Sequence, residues 1–385
     1  MILAVSRPHS TLLEVARGGV TYPIYVDKEL LDSAIEHRMA GLLQSAIVAG
    51  SVLAAPEVLK ELERHDLETW ARHQVLIDEL GRVKDILDRA GIEFMILKGV
   101  TAEARWYRRP GERPSWDLDV LLEPKAIAHL DEVLEMLQPG HVLLGSSAML
   151  ATKGYLQSVN VFFGRVVVDL HTDIFKLGVK TRSNDLVWDT VTTVDLKAAG
   201  ELRVPSASVA LVHFLTHLNR DRFNRLLGLV DVARVLEDPA LDWRLVDQLV
   251  RAEGLEVVAM SGLRVVENTL GRKSRSAFEP RGWRSSVWKY AWGPHTRLLG
   301  QEGRVRFARR SLLIPALLEG RFLEAIRFWR KRLFPPAAVV EYLHGAQPGG
   351  TWSKMIRGRV RYMLRRFRAR KDLGSRGQDQ DNNRA

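Results

Sequence analysis

The sequence reads as an α+β protein: a small mixed sheet flanked by N-terminal helices and a C-terminal helical domain. Three observations predict this class. Apolar residues recur with a helical period on both sides of the chain's middle. Between them, in residues 91–175, the pattern changes to short strand-like runs. Glycines and prolines stand where the pattern changes.

The elements follow in order. Between Asp27 and Ala90, Leu30, Leu31, Ile35, Leu42 and Leu43 recur at three-to-four spacing, as do Leu76, Leu80, Val83, Ile86 and Leu87. Such a stripe is the apolar face of a helix. Gly91 breaks the period. Ile92 to Leu97 is short and apolar, which predicts a buried strand, and Lys98-Gly99 ends it. Val100 to Tyr107 reads as a helix starting at that glycine turn. A second strand is predicted at Leu118 to Leu122, stopped by Pro124, with a helix from Ala126 to Leu137. Tyr155 to Phe163 and Val166 to Leu170 are two more extended runs, separated by Gly164-Arg165; glycine in the first position of a two-residue loop suits a hairpin. Helical periodicity returns from Ser206 to Leu270. Gly271 to Pro280 is a basic connector, and the helices beyond it are interrupted at Pro294, Pro315 and Pro335-Pro336. The expected division is therefore an N-terminal helical region at 1–90, a core at 91–200, a C-terminal helical domain at 201–349, and a basic amphipathic helix with a disordered tail at 350–385.

Composition narrows the function classes. Of 385 residues, 46% are hydrophobic and 27% charged, which argues against wholesale disorder and collagen-like repeats. There is no cysteine. That excludes disulfides, Cys–zinc sites, iron–sulfur clusters and thiol catalysis, and it fits a reducing compartment. The net charge of +11 is unevenly spread: Gln301 to Ala385 holds 20 Lys/Arg and 7 Asp/Glu, leaving the rest of the chain nearly neutral. Within residues 354–371, Val360, Met363, Leu364 and Phe367 recur at helical spacing among arginines. Two readings stay open for this basic helix: docking on an anionic membrane surface or polyanion, or covering the protein body with solvated arginines outward. The longest apolar stretch, Ala46 to Ala55, is about half of what a membrane span needs, and the N-terminus lacks secretory-signal features. No transmembrane segment is expected. The expected location is cytoplasmic, with peripheral attachment at a membrane surface as its variant.

The chemistry concentrates in Arg113-Pro114-Ser115-Trp116-Asp117-Leu118-Asp119-Val120-Leu121-Leu122. On a strand, Asp117 and Asp119 share one side while Leu118, Val120 and Leu122 share the other. Two carboxylates so close repel each other unless a cation lies between them or solvent reaches both. Val166 to His171 repeats the alternation, with Asp169 opposite the apolar side. A third carboxylate on a strand able to pair beside the first completes a three-Asp site. Mg²⁺ suits such oxygen ligands, taking a few carboxylates and filling its other positions with water and substrate phosphate.

The order Ile96-Leu97-Lys98-Gly99, then R-x-x-D-x-D from Arg113 to Asp119 with two apolar residues after it, then Val168-Asp169-Leu170-His171, resembles the uncharacterised nucleotidyltransferase family, part of the polymerase-β-like superfamily. Further resemblance lies in Val204-Pro205-Ser206, in Leu211 to His217, in Leu226 to Leu236 with its single Asp231, in His37-Arg38 and in Phe334-Pro335; it covers residues 30–345. The resemblance implies that residues 91–200 are a nucleotidyltransferase core. It implies catalytic and metal-binding roles for Asp117, Asp119 and Asp169, which would hold Mg²⁺ as two ions, with Mn²⁺ as a substitute. It implies nucleotide binding at Gly99, whose turn opens a helix N-terminus. Lys98 and Arg113 are expected to neutralise phosphate oxygens, Arg113 through its planar fork. The Gly-Ser or Gly-Gly usual in the superfamily is Gly99-Val100 here, with Thr101 the nearest hydroxyl. The implied reaction transfers a nucleoside monophosphate from an NTP to a hydroxyl of a small molecule, sugar or modified peptide, releasing pyrophosphate. The alternative is a catalytically degenerate member that acts as an interaction module through its basic helix.

Several residues carry two readings. His213 and His217, four apart on one helix face, either pack within the helical domain or line an acceptor pocket; no Glu stands between them, so the zinc-protease pattern is absent. Asp231 is either a buried carboxylate satisfied by a neighbour or an acceptor contact. His171 either supports Asp169 or ends the strand. Asp173 solvates the strand exit or adds a ligand. Trp106 and Tyr107 pack the glycine-turn helix onto the sheet or stack on a base.

Overall fold

The computed structural model describes residues 10–18, 24–50, 52–137, 151, 154, 157–221, 223, 225–274 and 318–333. The chain forms two compact units, residues 1–328 and 329–385, and only 329–333 of the second are described. The basic helix predicted at 354–371 and the Phe334-Pro335 phrase lie outside the described residues.

The N-terminal region is mostly helical: α1 (Ser10–Arg17), α2 (Lys28–Glu36), α3 (Ala40–Val48) and the 34-residue α4 (Pro56–Arg89). Asp27 caps α2 by accepting from Leu30 N at 2.8 Å, and Pro56 opens α4, where the missing N–H costs nothing. Two three-residue strands, β1 (Ile24–Val26) and β2 (Val52–Ala54), pair in parallel between the helices; they are too short for any period to show. Helix α4 stops where the sequence pattern breaks. Gly91 takes φ +66°, its N–H bonds Asp88 O at 3.0 Å, and Ile92 N–H bonds Leu87 O at 3.0 Å. This double closure is the glycine-terminated helix end.

The central sheet has the order β3-β4-β6-β5. Its strands are β3 (Phe94–Ile96), β4 (Asp117–Leu122), β5 (Ser158–Phe163) and β6 (Val166–His171). β3 runs antiparallel to β4, β4 parallel to β6, and β6 antiparallel to β5, so the sheet is mixed as predicted. The β5–β6 hairpin turns at Gly164-Arg165 with Gly164 at φ +53°. Helix α5 (Val100–Trp106) follows β3, and a 3₁₀ turn (Ala126–His129) leads into α6 (Leu130–Leu137) after β4. One side of the sheet is apolar: Leu118, Val120 and Leu122 join Val166, Val168 and Leu170 in a buried core with Leu76, Leu80, Val83 and Leu87 of α4 and Leu130, Val133 and Leu134 of α6.

After the sheet come α7 (Asn184–Asp189) and a small antiparallel hairpin, β7 (Thr192–Asp195) and β8 (Glu201–Val204). Four further helices, α8 (Ala207–Asp221), α9 (Leu226–Val235), α10 (Trp243–Glu253) and α11 (Glu256–Leu270), share a second core that also takes Met95, Leu97 and Leu121 from the sheet. A last described helix, α12, spans Phe322–Leu333. Among the described residues no helix is long and apolar enough to cross a membrane.

Candidate active site

The parallel register of β4 and β6 sets the site. It pairs Asp119 with Asp169 and Asp117 with Val167. Neighbouring strands lie roughly 4.8 Å apart, so two carboxylates at one register position on the same side must meet. Asp119 is almost fully buried, at 2% exposure, and His171, two residues beyond Asp169 on the same side, is equally enclosed. Its Nε2 lies 2.9 Å from Asp119 Oδ1 and 3.2 Å from Asp169 Oδ2. One ligand-type atom from each of Asp119, Asp169 and His171 lies within 4.8 Å of the others. Asp117, one step nearer the strand's start, is outside that three-atom group, and His171 stands inside it.

Two lysines neutralise the cluster. Lys98, at the end of β3, places Nζ 3.3 Å from Asp119 Oδ1. Lys176, from the loop after β6, donates to Asp169 Oδ2 at 2.7 Å and to Ser158 Oγ at 2.8 Å. That loop is organised by Asp173. Its Oδ1 accepts from the N–H groups of Phe175 and Lys176, and its Oδ2 from Thr181 N and Oγ1. Asp173 thus shapes the strand exit. Lys176 carried no periodic or motif signal in the sequence; only the turn built by Asp173 reveals it.

The electrostatics divide the three aspartates. Burial pushes the Asp119 carboxyl up, but Lys98, the His171 hydrogen bond and Lys176 hold it well below the usual carboxylate range. Asp169 is opposed by burial in the same way and is likewise held low by His171 and Lys176. Asp117 is raised by burial and by the Asp119 and Asp169 charges, against the pull of Lys98 and Arg38.

The geometry fits a divalent cation. Asp119 Oδ2, Asp169 Oδ1 and His171 Nδ1 are buried without a hydrogen-bond partner among the described residues, and buried carboxylate oxygens are costly to leave so. Two carboxylates and an imidazole so placed could hold a metal ion.

Across from the sheet, α8 supplies two histidines. His217 Nδ1–H donates to Asp221 Oδ2 at 3.0 Å, which leaves Nε2 to accept from Lys98 Nζ at 3.0 Å. Burial and the Lys98 charge push His217 down to about 4. His213 donates from Nδ1 to Ile174 O at 2.8 Å, and its buried Nε2 has no partner among the described residues. Burial, His217 and Lys98 hold it neutral, well below the usual histidine range.

The remaining predicted residues go elsewhere. Gly99 begins α5 at φ +70°, where a Cβ would stand 3.2 Å from Ser115 Oγ; the turn therefore abuts the segment that enters β4. Thr101 is buried, and its hydroxyl donates to Lys98 O at 3.2 Å. Arg113 is not at the acidic cluster. Its Nε and Nη2 each donate to Asp231 at 2.8 Å, and Tyr107 OH donates to the same carboxylate at 2.6 Å. The fork expected to grip phosphate is committed to a helix carboxylate, which explains the single Asp in the apolar run of α9. Trp106 donates to Asp238 at 2.7 Å and meets Phe214 edge-on, so it packs α5 against the helices.

A small mixed sheet bearing acidic residues on adjacent parallel strands, beside a glycine-opened helix, has the architecture of a nucleotidyltransferase-like α+β enzyme. The chain belongs to the uncharacterised nucleotidyltransferase family, whose model matches residues 27–271. The match runs from the cap of α2 to the end of α11 and so includes the sheet, both lysines and the histidine helix. A search of curated proteins found no match.

Proposed function

We propose that the enzyme is a divalent-metal-dependent nucleotidyltransferase that moves a nucleoside monophosphate from an NTP to an acceptor hydroxyl. The observation that carries this reading is the register pairing of Asp119 with Asp169, with buried unpartnered oxygens on both side chains. Asp119 and Asp169 would hold the metal, with Asp117 completing the carboxylate set and His171 adjoining it. The ion, Mg²⁺ or Mn²⁺, would supply Lewis-acid stabilisation of charge on the phosphate oxygens.

The protein's own groups do the rest. Lys98, held between Asp119 and His217, is placed to neutralise triphosphate oxygens. The Gly99 turn brings backbone close to the phosphates. Asp169, kept ionised by Lys176 and His171, faces the attacking hydroxyl. In the balanced step, the acceptor oxygen bonds to the α-phosphorus, the bond to the β-phosphate bridging oxygen breaks, and pyrophosphate leaves with that electron pair. The hydroxyl proton passes to the solvent or a basic side chain. Positioning and charge stabilisation account for the acceleration.

The test is isothermal titration of the full chain with each NTP in the presence of Mg²⁺ or Mn²⁺, followed by mass spectrometry of an acceptor pool for added nucleoside monophosphate. Metal-dependent binding lost in Asp119→Asn supports the reading. No response to any NTP, with Asp119→Asn indistinguishable from wild type, defeats it.

A further inference from the structure

We infer that Arg38 and Arg225 form a polyphosphate-binding site beside the acidic cluster, which takes the triphosphate tail of the nucleotide; this rests on the nucleotidyltransferase reading for its ligand, but not for its anion chemistry. Three observations place it. Arg38 is half-buried, yet its guanidinium makes no hydrogen bond or ion pair among the described residues; it lies over the Trp116 ring, 4.0 Å from the centroid. Trp116 immediately precedes Asp117, and the Arg38 cation and the Asp117 carboxylate lie close enough to act on each other's charge. Arg225 Nε is buried without a partner among the described residues.

The backbone brings the two arginines together. Buried His37 accepts from Leu226 N at Nδ1, 3.2 Å, and from Leu227 N at its carbonyl, 3.4 Å. Each arginine is therefore one residue away from a bonded junction between the end of α2 and the start of α9. Arg38 itself sits at φ +62°, a left-handed conformation that is unfavourable for any residue but glycine or asparagine. An unpaired guanidinium kept at such a position is in the right form for a ligand that arrives later. Burial, Arg225 and Arg113 together lower the Arg38 pKa to about 10, against the pull of Asp117 and Asp221. Asp221 is already bonded to His217 and Arg113 to Asp231, which leaves Asp117 as the carboxylate acting on Arg38, with Arg225 as its neighbouring cation.

Guanidinium forks match phosphate oxygens two at a time. Carboxylates, a divalent cation, phosphates and arginines in sequence would alternate in charge across the site, which a monoanionic ligand could not achieve. A phosphate on the acceptor has the same chemistry as the nucleotide tail, and the experiment separates them.

Isothermal titration of the full chain with Mg²⁺ would use inorganic tripolyphosphate, ATP, adenosine and glycerol phosphate. The variants are Arg38→Gly and Arg225→Gln. Arg38→Gly relieves the backbone while removing the cation, so its melting temperature should be unchanged or higher. Each variant is expected to weaken tripolyphosphate and ATP by about 10- to 100-fold, the usual worth of a charged hydrogen bond, and to leave adenosine unaffected. Wild-type affinity for tripolyphosphate in both variants, or no tripolyphosphate binding by the wild type, overturns the site. Tight glycerol phosphate with no tripolyphosphate binding assigns it to the acceptor and overturns the nucleotide tail. Arginine-dependent tripolyphosphate binding without nucleotidyl transfer defeats only the enzymatic reading.

Discussion

Two charged clusters are buried between the sheet side of this molecule and its helices. Around Asp231, Arg113 donates twice and Tyr107 once, and Arg234 stacks on the Tyr107 ring at 4.4 Å. Burial opposes the Arg113 charge, yet Asp231 and the surrounding groups hold its pKa above the ordinary value. Around Asp119, the lysines are in place but Asp119 Oδ2, Asp169 Oδ1, His171 Nδ1 and His213 Nε2 are unpartnered among the described residues. The first cluster is saturated and reads as architecture, tying α5 and the entry to β4 onto α9. The second is unsaturated, which is what a site awaiting a cation and substrate requires. Saturation, more than charge or burial, separates them.

The largest way to break this comparison is to cut the saturated cluster. Asp231→Ala leaves Arg113 buried without its partner, and such losses cost about 3–5 kcal/mol. Urea unfolding should show a fall of that size in stability. If Asp231→Ala instead weakens NTP binding while stability holds, the cluster is functional and the contrast collapses.

The complementary change is Asp119→Asn. It removes a metal-ligand charge, so nucleotidyl transfer should fall about 10³-fold, equivalent to about 4 kcal/mol of barrier. Its stability should shift less than that of Asp231→Ala, because it also relieves repulsion with Asp117 and Asp169. Single-turnover rates beside melting curves for both variants decide the matter.

How far the sequence reached follows from the same distinction. The strand alternation in Asp117 to Leu122 and Val166 to His171 put the acidic residues on one side, and the Gly164-Arg165 turn gave the hairpin. Short-range pattern therefore sufficed for the sheet and for Asp119 with Asp169. The pairing of Arg113 with Asp231, 118 residues apart, has no local signature, so the R-x-x-D-x-D pattern alone pointed that arginine at phosphate. The strand period puts His171 on the acidic side but does not choose between its two roles, because period fixes a side and not a partner. Lys176 and Arg225 are loop and cap positions, which carry no period at all. The three-residue strands β1 and β2, and the β7–β8 hairpin, are too short or too polar to stand out against the helical background.

The histidines of α8 sharpen the comparison through pH. In the folded state His217 titrates at about 4, against roughly 6.5 when unfolded. A depressed value means its stability contribution is complete above about 6.5 and declines as pH falls toward 4. At pH 5 the loss from His217 is about 2 kcal/mol; His213, also depressed, acts in the same direction. The facing charges are Lys98, Arg220 and Asp221 for His217, and Lys98, His171, Asp119 and His217 for His213. Asp117, whose carboxyl is raised, acts in the opposite sense at more acidic pH. Urea midpoints between pH 7 and pH 5 should fall in the wild type and fall less in His217→Gln, which keeps an acceptor for Lys98 but cannot protonate. Parallel slopes in the two proteins would show that the histidine is not held neutral.

The smallest effect tests which side of the comparison Thr101 belongs to. Sequence order made it the hydroxyl nearest the Gly99 turn, yet it is buried and its proton is spent on Lys98 O. Thr101→Val keeps the shape and removes one neutral hydrogen bond, worth about 0.5–1.5 kcal/mol. Because Lys98 O would then lose a donor, the cost should appear in the unfolding midpoint and leave the dissociation constant for Mg²⁺–NTP within about twofold, inside the spread of effects at sites that share no partner with the ligand. A larger loss of nucleotide affinity at constant stability would place this hydroxyl on phosphate and move the boundary between the saturated and unsaturated clusters to include the first turn of α5.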